Sequence, residues 1–105
     1  MTEAELLSNA RSYLRLDSYE DDAIIKTCIS AAKEYIASAV GAYDGTDDTE
    51  RMLLYALVQD MYDNRTLTQS EQQQKLRQQW TYQSIILQLR MKYELKKEAA
   101  TDEQG

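Results

Sequence analysis

The sequence predicts an all-α fold: a small bundle of three main helices, at about residues 19–40, 48–64 and 82–97, with a short N-terminal helix at about 3–14 and a Gln-rich loop at 66–80. Three observations carry this. Apolar residues recur at helical spacing in each long segment. No stretch shows the alternation of a half-buried strand. Pro is absent and Gly occurs only 3 times, so few positions force a break. The chain reads as a single domain over 1–105 with a flexible tail at 98–105, long enough for a modest core.

Thr2-Glu3-Ala4-Glu5 opens the first helix as a capping box, a hydroxyl followed three residues later by a carboxylate. Leu6, Leu7, Ala10, Tyr13 and Leu14 give it one apolar face. A helix this short must dock to persist. Ser18 and Asp21 form a second capping box, and Glu20, Asp21 and Asp22 suit the positive end of the next helix dipole. That helix carries the stripe Ile25, Ile29, Ala32, Ile36 and Ala39, flanked by Cys28, Tyr35 and Val40, and Gly41 is its stop.

Tyr43-Asp44-Gly45-Thr46 is a turn, after which Asp47 and Glu50 cap the third helix. Met52, Leu53, Ala56, Leu57 and Met61 fall on one face of that helix, widened by Tyr55, Val58 and Tyr62. Its neighbours are expected to pack against it. It ends in Tyr62-Asp63-Asn64-Arg65, where Asn64 tolerates a left-handed backbone and Arg65 suits the negative dipole end. Residues 66–80 are rich in Gln and poor in apolar side chains. Thr68 and Glu71 can cap a short helix there, but with little to bury the segment reads as a mobile loop or a helix ordered by a partner. The last helix has Ile85, Ile86, Leu89 and Tyr93 as its core stripe, Leu87 and Met91 beside it, and Lys92, Lys96 and Lys97 toward its C-terminal dipole.

Composition narrows the chemistry. The net charge of -6 argues against a duplex nucleic-acid binder and against an anionic membrane surface. No apolar run approaches the roughly 20 residues of a membrane span. The acidic N-terminus predicts no signal peptide, and the single Cys28 fits a reducing cytoplasm. There is no His, which removes the commonest general base and metal ligand. Cys28 lies in an apolar stripe and reads as a small buried hydrophobe. Asp44, Asp47, Asp48 and Glu50 lack calcium-loop spacing and read as turn and cap residues. No phosphate-cradling loop, nucleophile elbow or zinc spacing is present, so neither an enzyme nor a cofactor is expected. The surplus of 8 Tyr points to half-buried faces and interfaces.

Several blocks resemble the phage head–tail connector (adaptor) family, the gp6-like head-completion proteins. Tyr13-Leu14-Arg15-Leu16-Asp17, then Glu20-Asp21-Asp22 and Ile24-Ile25, is similar to the family's opening. Ala31-Ala32-Lys33-Glu34-Tyr35-Ile36 with Val40-Gly41 resembles its first long helix and stop. Leu57-Val58 and Met61-Tyr62-Asp63-Asn64-Arg65 resemble the ending of its second, and Ser84-Ile85-Ile86-Leu87-Gln88-Leu89-Arg90 its final helix. The likeness covers about residues 6–90. One departure is Arg77-Gln78-Gln79-Trp80-Thr81-Tyr82, where family members often carry a Pro/Gly-containing segment.

The resemblance implies a structural protein without catalysis. It implies a homo-oligomeric ring, commonly dodecameric, beneath the portal protein, extending the DNA channel without sequence-specific contacts and presenting a platform to the stopper or tail-completion protein. It places the protein in the virion at the head–tail junction, and in the host cytoplasm during assembly. Acidic channel walls would let DNA slide. The family motif maps onto Tyr62, Asp63, Asn64 and Arg65. The charged end of the last helix, with Lys92, Lys96, Lys97 and Glu98, is the expected portal contact. The 66–80 segment, with Gln72, Gln73, Lys75, Arg77 and Trp80, is the expected channel or stopper contact. The alternative from the residues alone is a small helical regulatory or adaptor protein that binds another protein.

Overall fold

A computed structural model describes residues 2–66, 68–77 and 79–104, without the side chains of 69, 73, 77 and 99–104. Five helices follow one another: α1 (Glu3–Tyr13), α2 (Asp22–Val40), α3 (Asp48–Asp63), α4 (Gln69–Arg77) and α5 (Trp80–Gln104). No strand occurs among the described residues, and the fold is all-α as expected.

α2 and α3 make the largest helix–helix contact, and each also touches α1 and α5. The expectation that α3 alone organises the bundle is therefore half of the answer. α2 shares the role because Ile25, Cys28, Ile29, Ala32, Ile36 and Val40 are all buried along it. Small Ala32 lets a neighbouring helix approach closely. On α3 the buried face is Leu53, Leu54, Leu57, Val58 and Met61, joined by Glu50. Met52 is 65% exposed, against the expectation, because the apolar arc centres near Leu57 and places Met52 on the far side.

The caps explain most helix ends. Thr2 accepts from the Glu5 amide at 3.1 Å, as its capping box predicts. α1 ends in a Schellman turn: the amides of Arg15 and Leu16 donate to the carbonyls of Ser12 and Arg11. This puts Arg15 at φ 59, a left-handed position where Gly would be unstrained. The Ser18–Asp21 capping box is not used. α2 starts at Asp22, and its N-cap Asp21 makes no side-chain cap bond. The Asp21 carboxylate instead accepts from the Tyr62 hydroxyl.

Gly41 ends α2 at φ 119 with its amide on the Ala37 carbonyl. Its missing side chain also matters: a Cβ there would lie 2.6 Å from the Tyr93 ring on α5. Asp47 caps α3, accepting from the Thr49 and Glu50 amides. Glu50 does not complete the box. Its buried carboxylate accepts from the Gly45 amide at 2.6 Å and the Asp44 amide at 3.2 Å, and so holds the α2–α3 loop closed.

The structure corrects the two least regular segments. The expected loop at 66–80 contains the nine-residue α4. Thr68 and Glu71 form a reciprocal capping box at its start, and Leu76 is buried in the common core. One apolar anchor and one good cap are enough because α4 folds back on α5. The last helix does not stop near 97 but continues through Gln104, across the segment read as a flexible tail. At 25 residues it is about 37 Å long. The projecting helix raises the radius of gyration to 14.9 Å, above the roughly 13 Å of a compact chain this size.

Candidate functional site

The Tyr62–Arg65 segment lies where α3 ends, α4 begins and α5 begins. The Tyr62 hydroxyl donates to Asp21 at the head of α2. The Arg65 guanidinium lies 4.5 Å from the Tyr62 ring centre and donates to the Tyr62 carbonyl at 2.8 Å, satisfying an orphan carbonyl of the helix end. Asn64 does not adopt the left-handed cap; its φ is -110°. Its side-chain amide donates to the Asp60 carbonyl and carboxylate, each at 2.8 Å.

Asn64 then links outward. Its carbonyl accepts from Gln72 at 2.9 Å, and its side-chain oxygen accepts from Lys75 at 3.0 Å. Asp60 accepts from the Tyr82 hydroxyl at 3.2 Å, which fixes the first turn of α5. Tyr62 and Asn64 therefore tie the end of α3 to α2 and α4, and Asp60 carries the link on to α5. Arg65 folds back on Tyr62, and Asp63 faces solvent.

The electrostatics fit a clamp more than a reaction centre. The hydrogen bond to Asp21 raises the Tyr62 phenol above its ordinary range, and partial burial adds to this. Burial first, and then the Asp60 charge, push Tyr82 up to about 12. Both phenols stay protonated and donating at neutral pH. Burial pushes the Cys28 thiol up more than the Arg65 charge lowers it, so the thiol is held protonated, as a packed side chain. Among the described residues no group of three or more carboxylate or thiol side chains is placed to hold a metal ion.

The expected portal residues form a second locus, on α5 beside the α2–α3 loop. Because α5 runs on past them, Lys92, Lys96 and Lys97 do not sit at a helix end, and they pair sideways instead. Lys92 bonds Asp47 at 3.2 Å, Lys96 bonds Asp44 at 3.3 Å, and the Lys97 ammonium lies 5.9 Å from the Tyr93 ring centre. Glu98 is exposed. For Asp47, burial works against ionisation, but bonds from the Glu50 amide, Lys92 and the Thr49 amide outweigh it and lower its carboxyl. Bonds from Thr46 and Lys96 lower Asp44.

Of the residues expected at the channel or stopper, Gln72 and Lys75 belong to the Asn64 cluster, while Trp80 stands apart and exposed at the head of α5. The side chains of Gln73 and Arg77 lie outside the described residues. Sequence reasoning missed Asp21, Asp60 and Tyr82 as partners of the motif. The Asp60–Asn64 spacing of four was the available signal, since side chains at that spacing meet on a helix.

The comparisons with known proteins fall on this same stretch. A family model described as phage gp6-like head-tail connector protein matches residues 4–90. It spans α1 to the middle of α5 and includes the Tyr62–Arg65 clamp. Neither a curated protein nor a solved structure gives a significant match. With most of its length inside the family model, the chain belongs to the phage gp6-like head–tail connector proteins, a structural family of the virion.

Proposed function

We propose that this chain is the subunit of a ring that sits between the portal and the stopper or tail, extends the DNA channel and completes the head after packaging. The observation that carries the reading is the family match over residues 4–90. The net charge of -6 is compatible with a channel wall that repels phosphate.

Within that reading, the end of α5 meets the portal, and the α4–α5 corner faces the channel or stopper. Lys92, Lys96, Lys97 and Glu98 lie beyond the family match, on the stretch of α5 that runs beside the α2–α3 loop. That is a suitable place for a contact specific to one portal. On the opposite side, Gln72, Gln73, Lys75, Arg77 and Trp80 lie on or beside a short helix with one buried anchor, Leu76. A segment held so lightly is able to adjust to a partner.

Deleting the gene from its phage tests this. The expected result is heads that package DNA but lose it and acquire no tails, with tails assembled separately. Normal tailed particles from the deletion would contradict the proposal. So would a block before packaging.

A further inference from the structure

α5 is apolar on two faces. Ile86 and Leu89 point into the core, whereas Trp80, Leu87, Met91 and Leu95 are 80%, 56%, 59% and 64% exposed. At 100° per residue these four share the outward face, in a stripe about 22 Å long. A monomer rarely leaves an apolar stripe of this kind open to water, here interrupted by Ser84 between Trp80 and Leu87. The charged side chains Glu94, Glu98 and Arg90 border its Met91–Leu95 end.

The same chain carries a groove of matching length. One hollow, of about 510 Å³, runs between α2 and α5 past Tyr35, Ser38 and Ile86 to Arg90. A second, of about 250 Å³, continues past Ile24 and Cys28 to Arg65. The two share Ala31, Met61 and Gln72 and so form one trough. From Ile24 to Ser38 it follows α2 for about 21 Å. Its wall mixes apolar side chains with Glu34, Ser38, Gln72 and Gln83, and a guanidinium lies toward each end.

We infer that the outward stripe of α5 in one copy seats in the α2 trough of the next copy. Length matches length, and the charges are opposite in balance: the stripe's border has Glu94 and Glu98 against Arg90, whereas the trough has Arg65 and Arg90 against Glu34. Trp80, Leu87, Met91 and Leu95 do not line the trough, so stripe and trough are distinct surfaces of one subunit. Contact between two different surfaces is head-to-tail, and it builds a ring when the rotation between copies closes. The inference rests on the proposed ring and names the surfaces that build it.

The test is the mass of the full chain in solution. The wild type is expected to form a closed ring. A stripe variant, Met91→Glu with Leu95→Glu, and a trough variant, Ala31→Glu, are each expected to remain monomeric with wild-type helicity and melting. Mixed in equal amounts, they are expected to give a one-to-one dimer and nothing larger, because only one intact stripe and one intact trough remain. If Ala31→Glu melts early, Thr27→Glu on the exposed wall of the trough replaces it.

Variants that assemble like the wild type would overturn the inference, as would a mixture that stays monomeric, a wild type that stops at a closed dimer, or a wild type that is monomeric alone. If these variants still join rings on the portal as well as the wild type does, the ring stands and this interface falls. If no ring forms on the portal with any chain, the proposed function itself falls.

Discussion

The Tyr62 hydroxyl donates to the Asp21 carboxylate, so the last turn of α3 is tied to the residue that starts α2. Forty-one residues separate the two, yet this bond replaces the cap that Asp21 would otherwise form. Tyr62→Phe removes it and leaves the ring in place. The expected cost is about 1 kcal/mol, since the bond joins a charged acceptor in a partly solvated site. Urea unfolding measures this. A double-mutant cycle with Asp21→Asn should show that the two losses are not additive. Fully additive losses would show that the bond contributes nothing.

Alkaline pH should weaken the fold. Tyr82 is raised to about 12, so the unfolded chain loses its proton first. The stability due to this group is complete below the ordinary tyrosine range near 10 and is lost as pH rises through about 12. Tyr43, raised chiefly by burial, and Tyr62 act in the same direction. The urea midpoint should fall steadily over that window. Tyr82→Phe should start lower, having lost its bond to Asp60, and decline less steeply.

Two left-handed residues make opposite predictions. Gly41→Ala meets both a φ of 119° and the Tyr93 ring at 2.6 Å, and should cost about 2 kcal/mol or more. Shortening Tyr93 to Leu should recover only the steric part. Arg15 already occupies a left-handed position, at φ 59. Arg15→Gly should therefore stabilise the protein by up to about 1 kcal/mol, whereas Arg15→Ala should not. Thermal melts decide both.

The lysines of α5 separate stability from attachment. Lys92 and Lys96 bond Asp47 and Asp44 in largely exposed pairs, which contribute little to folding. Replacing both with Gln should move the urea midpoint less than Tyr62→Phe does. If the end of α5 is the portal contact, the same variant should bind the portal several-fold more weakly. Unchanged portal binding would place that contact elsewhere.

Much of this architecture was legible in the residues, and what was missed has physical causes. The stripes of α1 and α2, the Thr2 and Asp47 caps and the Gly41 stop needed only helical period and cap chemistry. α4 was read as a loop or a partner-ordered helix because a count of apolar residues overlooks a single well-placed one, Leu76. The end of α5 was missed because polar residues past 97 look like tail, although nothing among them breaks a helix. Met52 was expected with the core, and Leu87 and Met91 beside the core stripe of α5, because period alone does not tell a core face from a second apolar face. The motif Tyr62–Arg65 was legible as a unit, but Asp21, the partner of Tyr62, and Tyr82, the partner of Asp60, lie about twenty or more residues from the groups they bond and meet them only by tertiary packing.

The central claim is that this chain becomes a ring on its portal. The most direct measurement is the mass of the complex between the purified protein and the assembled portal of the same phage. The account predicts a single species in which many copies of this chain close a ring on one portal. A portal that returns bare, or one that carries scattered single copies with no ring, would contradict it.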